Sequence, residues 1–284
     1  MAITAALVKE LRERTGLGMM DCKKALQETD GDLDLAIENL RKSSALKAAK
    51  KAGRTAADGL LGLKVSDDGK RAAMVEINIE TDFAAKNEKF IAFVGKVTDL
   101  VFERGSEDLA SYDLDAERET LVQEIGENIT LRRAAVVESC GGEIAHYIHT
   151  TQRQAALVEI TGGDAELGKD LAMHVTAINP MVVRQAEVPA DVVGKEREIA
   201  AAQAAESGKP AEIVEKMVEG KVRKFLAEVS LLDQPFVKDG NMKVQQLLKD
   251  KGADVTRFVR FEVGEGIDKG EEDFAAEVAA QLKS

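Results

Sequence analysis

Tryptophan is absent from the 284 residues, tyrosine occurs twice and phenylalanine nine times. With so few aromatic side chains the core has to be built from aliphatic residues, and a Phe outside an apolar run asks for a reason. The two cysteines, Cys22 and Cys140, sit in unrelated contexts and form no metal-ligand spacing, the usage of a reducing compartment. No run approaches the about 18 apolar residues of a membrane span, and the opening residues lack a signal-peptide pattern. A cytoplasmic protein is expected. Positive charge is also short, 39 Lys and Arg against 51 Asp and Glu for a net charge of −12, which argues against nucleic-acid binding held mainly by phosphate contacts. There is no P-loop, dinucleotide fingerprint, zinc spacing or nucleophile elbow. No cofactor, metal or bound nucleotide is therefore expected. Of the three histidines, His146 and His149 would face opposite sides of a strand, and with His174 they make no catalytic set. Enzyme chemistry has no visible seat.

What is present is organised by charge and by repetition. Residues 1–54 carry 11 basic and 8 acidic side chains, net +3, leaving −15 for the remainder. This opening reads as three short helices: one after Thr4 with Leu7 and Leu11 on a common face, one from Met20 to Leu26 after Thr15-Gly16-Leu17-Gly18, and one from Leu33 to Leu40 capped by Asp32. Arg41 to Arg54 then has six basic residues and no acid, and reads as an exposed linker. Next come two apolar runs, Leu60 to Val65 and Ala72 to Ile77, separated by Ser66-Asp67-Asp68-Gly69, the chemistry of a β-hairpin. An offset of 83 positions finds the hairpin again: Ala72 to Ile77 aligns with Ala155 to Ile160, and Leu61 to Val65 with Ile144 to Ile148. An internal duplication explains this, each hairpin being followed by a helix-like apolar run, Phe90 to Val97 and Leu171 to Ile178. The fold expected is α+β, with a duplicated core of antiparallel hairpin sheets and helices.

The copies differ at the corner after the second strand. The first reads Asn78-Ile79-Glu80-Thr81-Asp82-Phe83-Ala84-Ala85-Lys86-Asn87, the second only Thr161-Gly162-Gly163-Asp164. Phe83 is either a core anchor or a projecting apolar plug flanked by Asp82. Met19 and Met20 are adjacent at a helix start and cannot both face one core, so one is expected inside and one offered to a partner. Further on, Asp191 to Ser207 and Ala211 to Phe225, joined by Gly208-Lys209-Pro210, read as a helical hairpin whose Val214, Val218 and Phe225 pack against another chain. Val255 to Val263 alternates like a strand and returns to the sheet, and Glu271 to Leu282 reads as a final helix.

Leu11 to Leu26, with Thr15-Gly16-Leu17-Gly18-Met19-Met20-Asp21-Cys22-Lys23-Lys24 at its centre, together with Thr81-Asp82-Phe83-Ala84-Ala85-Lys86-Asn87, resembles the bacterial translation elongation factor Ts family. The likeness runs on through Ile125-Gly126-Glu127-Asn128-Ile129, Ala172-Met173-His174-Val175, Gly208-Lys209-Pro210, Val218-Glu219-Gly220 and Phe261 to Gly266. The resemblance implies a guanine nucleotide exchange factor for elongation factor Tu, acting by binding and with no covalent chemistry, alone or within a dimer or 2:2 complex. It also implies a division into a ubiquitin-associated-like three-helix domain with its basic linker (1–54), core halves 55–140 and 141–183 with 229–265, a coiled-coil hairpin 184–228 and a C-terminal helical module 266–284. Carried over by motif, Arg12, Met19, Met20 and Lys23 meet the GTPase, Ile125, Gly126 and His149 add core contacts, and Thr81, Asp82, Phe83 and Ala84 intrude to dislocate the partner's magnesium. Ala84 stands where the family pattern often has Val. The alternative is a ubiquitin-associated-like scaffold or adaptor without exchange activity, which has no need of a specialised Thr81 to Asn87.

Overall fold

Polar caps and left-handed glycines set the first helix boundaries. In the computed structural model, which describes residues 3–206 and 209–268, α1 (Ala5–Thr15) starts where Thr4 Oγ1 accepts the Leu7 amide at 3.3 Å and stops at Gly16, φ +72°. α2 (Met19–Glu28) follows, and α3 (Leu33–Lys51) starts where Asp32 Oδ1 accepts the Leu35 amide at 3.0 Å. Val8, Leu11, Leu17, Cys22, Ala25, Leu26, Ala36 and Leu40 close a small core among them. The basic stretch expected to be a linker is instead the second half of α3, a 19-residue helix with Ser44 and Ala48 buried. Five of its six cations lie on this helix, Arg54 falling beyond its end, and the small Ser44 and Ala48, four apart on one face, leave room to pack.

The duplication is visible as two three-stranded sheets. In the first, β1 (Asp58–Val65), β2 (Arg71–Ile79) and β3 (Ile129–Glu138) lie in the order β1-β2-β3. Between β2 and β3 the chain forms the four-residue α4 (Asp82–Ala85), then α5 (Glu88–Arg104), which buries Phe90, Phe93, Val94, Val97 and Val101, then α6 (Asp115–Ile125). In the second sheet β4 (Glu143–Ile148) pairs antiparallel with β5 (Gln154–Thr161), with Glu143 opposite Ile160 and Ile148 opposite Ala155. α7 (Ala165–Ile178) packs on this pair. The helical hairpin is α8 (Ala190–Ala205) and α9 (Ala211–Val229). After it come the small ribbon β6 (Pro235–Phe236) and β7 (Asp239–Lys243), then α10 (Val244–Asp250) and β8 (Asp254–Glu262), which completes the order β4-β5-β8.

The chain falls into two compact units. Among the described residues, the first takes those up to 62, 74–135 and those from 262, and the second takes 63–73 and 136–261. This division departs from the five-part expectation. Residues 1–54 share a unit with most of the first core half because α3 runs on to pack against α6: Ser44 Oγ bonds Gln123 Oε1, and Lys51 Nζ donates to the Gly126 carbonyl. The hairpin also departs from expectation. Val218 and Val222 are buried with Ala200 and Ala204, and Val214 packs on that cluster, so the two helices use their valines on each other. Phe225 is half-buried. The expected helix at 271–282 lies outside the described residues. No helix among the described residues is long and apolar enough to cross a membrane.

Candidate functional site

Among the described residues, the most exposed large apolar side chain is on the shortest α-helix. Phe83 is 81% exposed, which settles the core-or-plug alternative in favour of projection. Its base is rigid on both sides: Ile79 at the end of β2 and Phe90 in the first turn of α5 are fully buried, and Ala85 is buried between them. Asn87 caps α5 by accepting the Lys89 amide at 2.9 Å. Beside the ring, Lys86 Nζ lies 5.3 Å from its centroid and 2.8 Å from Asp82 Oδ2. Asp82, Phe83 and Lys86 therefore present an acid, an aromatic face and a cation on one short turn.

That turn is tied to the segment after α6. The Thr81 amide donates to Glu127 Oε2 at 2.9 Å, and the Thr81 hydroxyl donates to Glu127 Oε1 at 2.8 Å. Next to it the Asn128 amide donates to Glu80 Oε1 at 2.6 Å, and the buried Asn128 side chain donates to the Arg54 carbonyl at 2.9 Å. Ile125 and Gly126 are half-buried on the same segment, Gly126 closing α6 at φ +90°. One step earlier, Glu124 Oε2 accepts from Lys89 Nζ at 2.7 Å, while the same ammonium donates to the Gly16 carbonyl at 3.2 Å. Residues 124–128 thus bond to α3 and to the Phe83 corner, and are linked through Lys89 to the α1–α2 turn, all within the first unit. The roles of Glu80, Lys89, Glu124, Glu127 and Asn128 were not read from the sequence. Glu127 and Asn128 lay inside a quoted motif, but their partners are 46 and 48 positions away.

On the helical module both Met19 (60%) and Met20 (75%) are exposed, against the expectation that one is core. The inward place at the start of α2 is filled by Leu17, in the turn before the helix, so both methionines are free to face outward. Arg12 on α1 and Lys23 on α2 are exposed as well. His149 belongs to the second unit, just beyond β4, where its amide donates to the Gln154 carbonyl at 2.9 Å and its Nδ1 pairs with Thr151 Oγ1 at 2.8 Å.

The other histidines are differently placed. His146 lies on β4, where partial desolvation, followed by the Lys169 charge, lowers its pKa. His174 is fully buried on α7: Nδ1 accepts the Val237 amide at 3.1 Å, which leaves Nε2 to donate to Gln234 Oε1 at 2.9 Å. Burial pushes its pKa down, against the opposing pull of the Gln234 bond. Both ring nitrogens are thus used within the core. Among the described residues no group of three or more His, Cys, Asp or Glu is disposed to hold a metal ion.

Known proteins resemble the chain along its whole length. A family model described as Elongation factor TS matches residues 80–265. Proteins named Elongation factor Ts from Saccharophagus degradans and Hahella chejuensis are each 58% identical over 285 residues, covering 99% of this chain and 98% and 99% of their own. The protein of that name from Methylococcus capsulatus is 54% identical over 293 residues, covering 100% of both chains.

Proposed function

Since the chain belongs to the elongation factor Ts family, a family of translation elongation factors, we propose that it is the cytoplasmic guanine nucleotide exchange factor for elongation factor Tu. It performs no covalent step and holds no nucleotide itself. The observation that carries the reading is the exposed Phe83, on a four-residue helix between a buried strand end and a buried helix start. An apolar ring in water on a rigid base gains free energy by entering a partner.

Exchange follows from linkage. A factor that binds the nucleotide-poor GTPase more tightly than the loaded one weakens the hold on GDP by the same factor that GDP weakens its own. Accelerating release about 1,000-fold asks for roughly 4 kcal/mol. Burying one Phe side chain supplies about 1.5–3 kcal/mol, so Phe83 and a few further apolar contacts are of the right size. Met19 and Met20 are suited to provide them, as flexible apolar side chains that adapt to a surface, with Arg12 and Lys23 as neighbouring cations. Entry of Asp82 and Phe83 between helices of the GTPase would displace the groups that hold its magnesium, removing the strongest positive charge from the GDP phosphates. Ile125, Gly126 and His149 complete the contact surface in this reading.

The test is release of fluorescent GDP from purified elongation factor Tu, with and without this chain. Acceleration that saturates with the chain's concentration is expected. Stable binding with an unchanged release rate would make the protein a scaffold instead.

A further inference from the structure

The geometry points to Glu127 as a positioning residue for exchange, supplying from 46 positions away the glutamate that the Phe83 helix lacks. A helix N-terminus is stabilised reciprocally when a Ser or Thr cap accepts the amide three residues on and a Glu or Gln at that third position bonds the cap's own amide. In α4 the first half is present: Thr81 Oγ1 accepts the Ala84 amide at 3.2 Å. The second half cannot come from the helix, because the third position is Ala84 itself. Glu127 takes over, one oxygen accepting the Thr81 amide at 2.9 Å and the other the Thr81 hydroxyl proton at 2.8 Å. By fixing that proton on the carboxylate, Glu127 turns an oxygen lone pair toward Ala84, so the carboxylate sets the direction of the cap as well as its amide partner.

The helix needs such help. Four residues are far below the length at which a helix persists unaided, since nucleation is costly and only longer segments recover it. Glu127 is itself held in place between Gly126, whose left-handed conformation ends α6, and the buried Asn128, anchored on Glu80 and Arg54. Its carboxylate therefore carries the order of a packed helix end to a turn that would otherwise fray. The inference rests on the reading of Phe83 as the intruding group, because a fixed cap matters to exchange only if the orientation of that ring does.

The experiment compares full-length Glu127→Ala, Phe83→Ala and the double variant, with two readouts. Amide hydrogen exchange tests the cap directly: Glu127→Ala should speed exchange at Thr81 and Ala84 about 10-fold and leave α5 unchanged, since bonds to a charged acceptor are lost. GDP release per folded molecule tests the role: Glu127→Ala should slow it about 10-fold while global stability falls by no more than the ~1.4 kcal/mol that a 10-fold change in amide protection represents, and Glu127→Gln, which keeps one acceptor, should fall between. In the Phe83→Ala background the same change should cost little more, because there is no ring left to orient. Unaltered protection at Thr81 and Ala84, or a loss that multiplies fully with that of Phe83→Ala, overturns the positioning role. A Phe83→Ala single variant with normal exchange sinks the underlying reading instead, and the amide data still decide whether Glu127 holds the cap.

Discussion

Replacing Phe83 by Ala separates folding from function more cleanly than any other single change. At 81% exposure the ring contributes almost nothing to the core of the free chain, and the cation over its face is the solvent-facing ammonium of Lys86. Truncating a buried Phe costs about 3–5 kcal/mol through the cavity it leaves. Here the denaturant midpoint should move by no more than a surface substitution moves it, within about 0.5 kcal/mol. Under the proposed mechanism the ring is buried in the complex, and losing about 1.5–3 kcal/mol of apolar burial realised only in the nucleotide-releasing arrangement should slow exchange by roughly 10-fold to 150-fold. Phe83→Leu, which keeps most of the apolar area and loses the aromatic face, should recover most of that rate. Denaturant titration and stopped-flow GDP release on the same preparations give both numbers. A large stability loss with normal release per folded molecule refutes the reasoning, as does normal release with normal stability.

Three further outcomes are expected. Replacing residues 191–225 with a short Gly/Ser linker should leave the GDP release rate of the folded chain unchanged, because α8 and α9 pack chiefly on each other through Ala200, Ala204, Val218 and Val222; abolished exchange would place the hairpin in the mechanism. Gly62→Ala should destabilise the fold by about 1–3 kcal/mol in urea titration, since the added methyl would fall on Thr98 Oγ1 of α5. His174, lowered from 6.5 by burial, contributes stability that is complete above that value and is lost as pH falls toward its folded pKa, because the unfolded chain then binds a proton the folded chain does not. Its contribution to the slope reaches at most about 1.4 kcal/mol per pH unit once pH has fallen below 6.5 and before the folded ring itself takes up a proton, and His174→Gln should flatten it; an unchanged slope would assign the pH dependence to other groups.

What was legible in the sequence was whatever is encoded by neighbours. The first hairpin, its copy 83 residues on, the helices around Phe90 and Leu171 and the helical pair after Pro189 all announce themselves through local periodicity and turn residues. β3 escaped because Arg132 and Arg133 interrupt its alternation, and their inward reach makes sense only once Glu76, 56 and 57 positions earlier, is in view. α6 escaped for a related reason: with only Leu121 and Val122 buried, its apolar stripe is too narrow to read. The corner at Thr81 to Asn87 was recognisable as an unexplained difference between copies. The carboxylate that organises it was not, because a hydrogen bond over 46 residues leaves no periodic trace.

The duplication also shows how one corner is built outward without disturbing the fold beneath it. Glu76 and Glu159 occupy equivalent positions, both buried on the second strand of their hairpins. Glu76 pairs with Arg132 and Arg133 at 2.7 and 2.6 Å, and Glu159 with Arg257 at 2.8 Å, so in each copy a buried carboxylate meets arginine from the third strand of its sheet. Burial alone would raise the Glu159 carboxyl, but the bonds from Arg257, the Cys140 amide and Ser139 outweigh it and hold the group below its ordinary value. The shared pairing fixes strand two against strand three in both halves, which leaves the next residues free to differ. In the second copy they turn tightly through Gly162 and Gly163, both at positive φ, with Gly162 so close to the Gly252 carbonyl that a side chain would collide with it. In the first copy the same exit from the strand opens into Thr81 to Ala85, where Thr81 is bonded from outside the helix and Phe83 is turned to solvent. One corner closes on its own core, and the other is built out from it with an apolar ring turned to solvent.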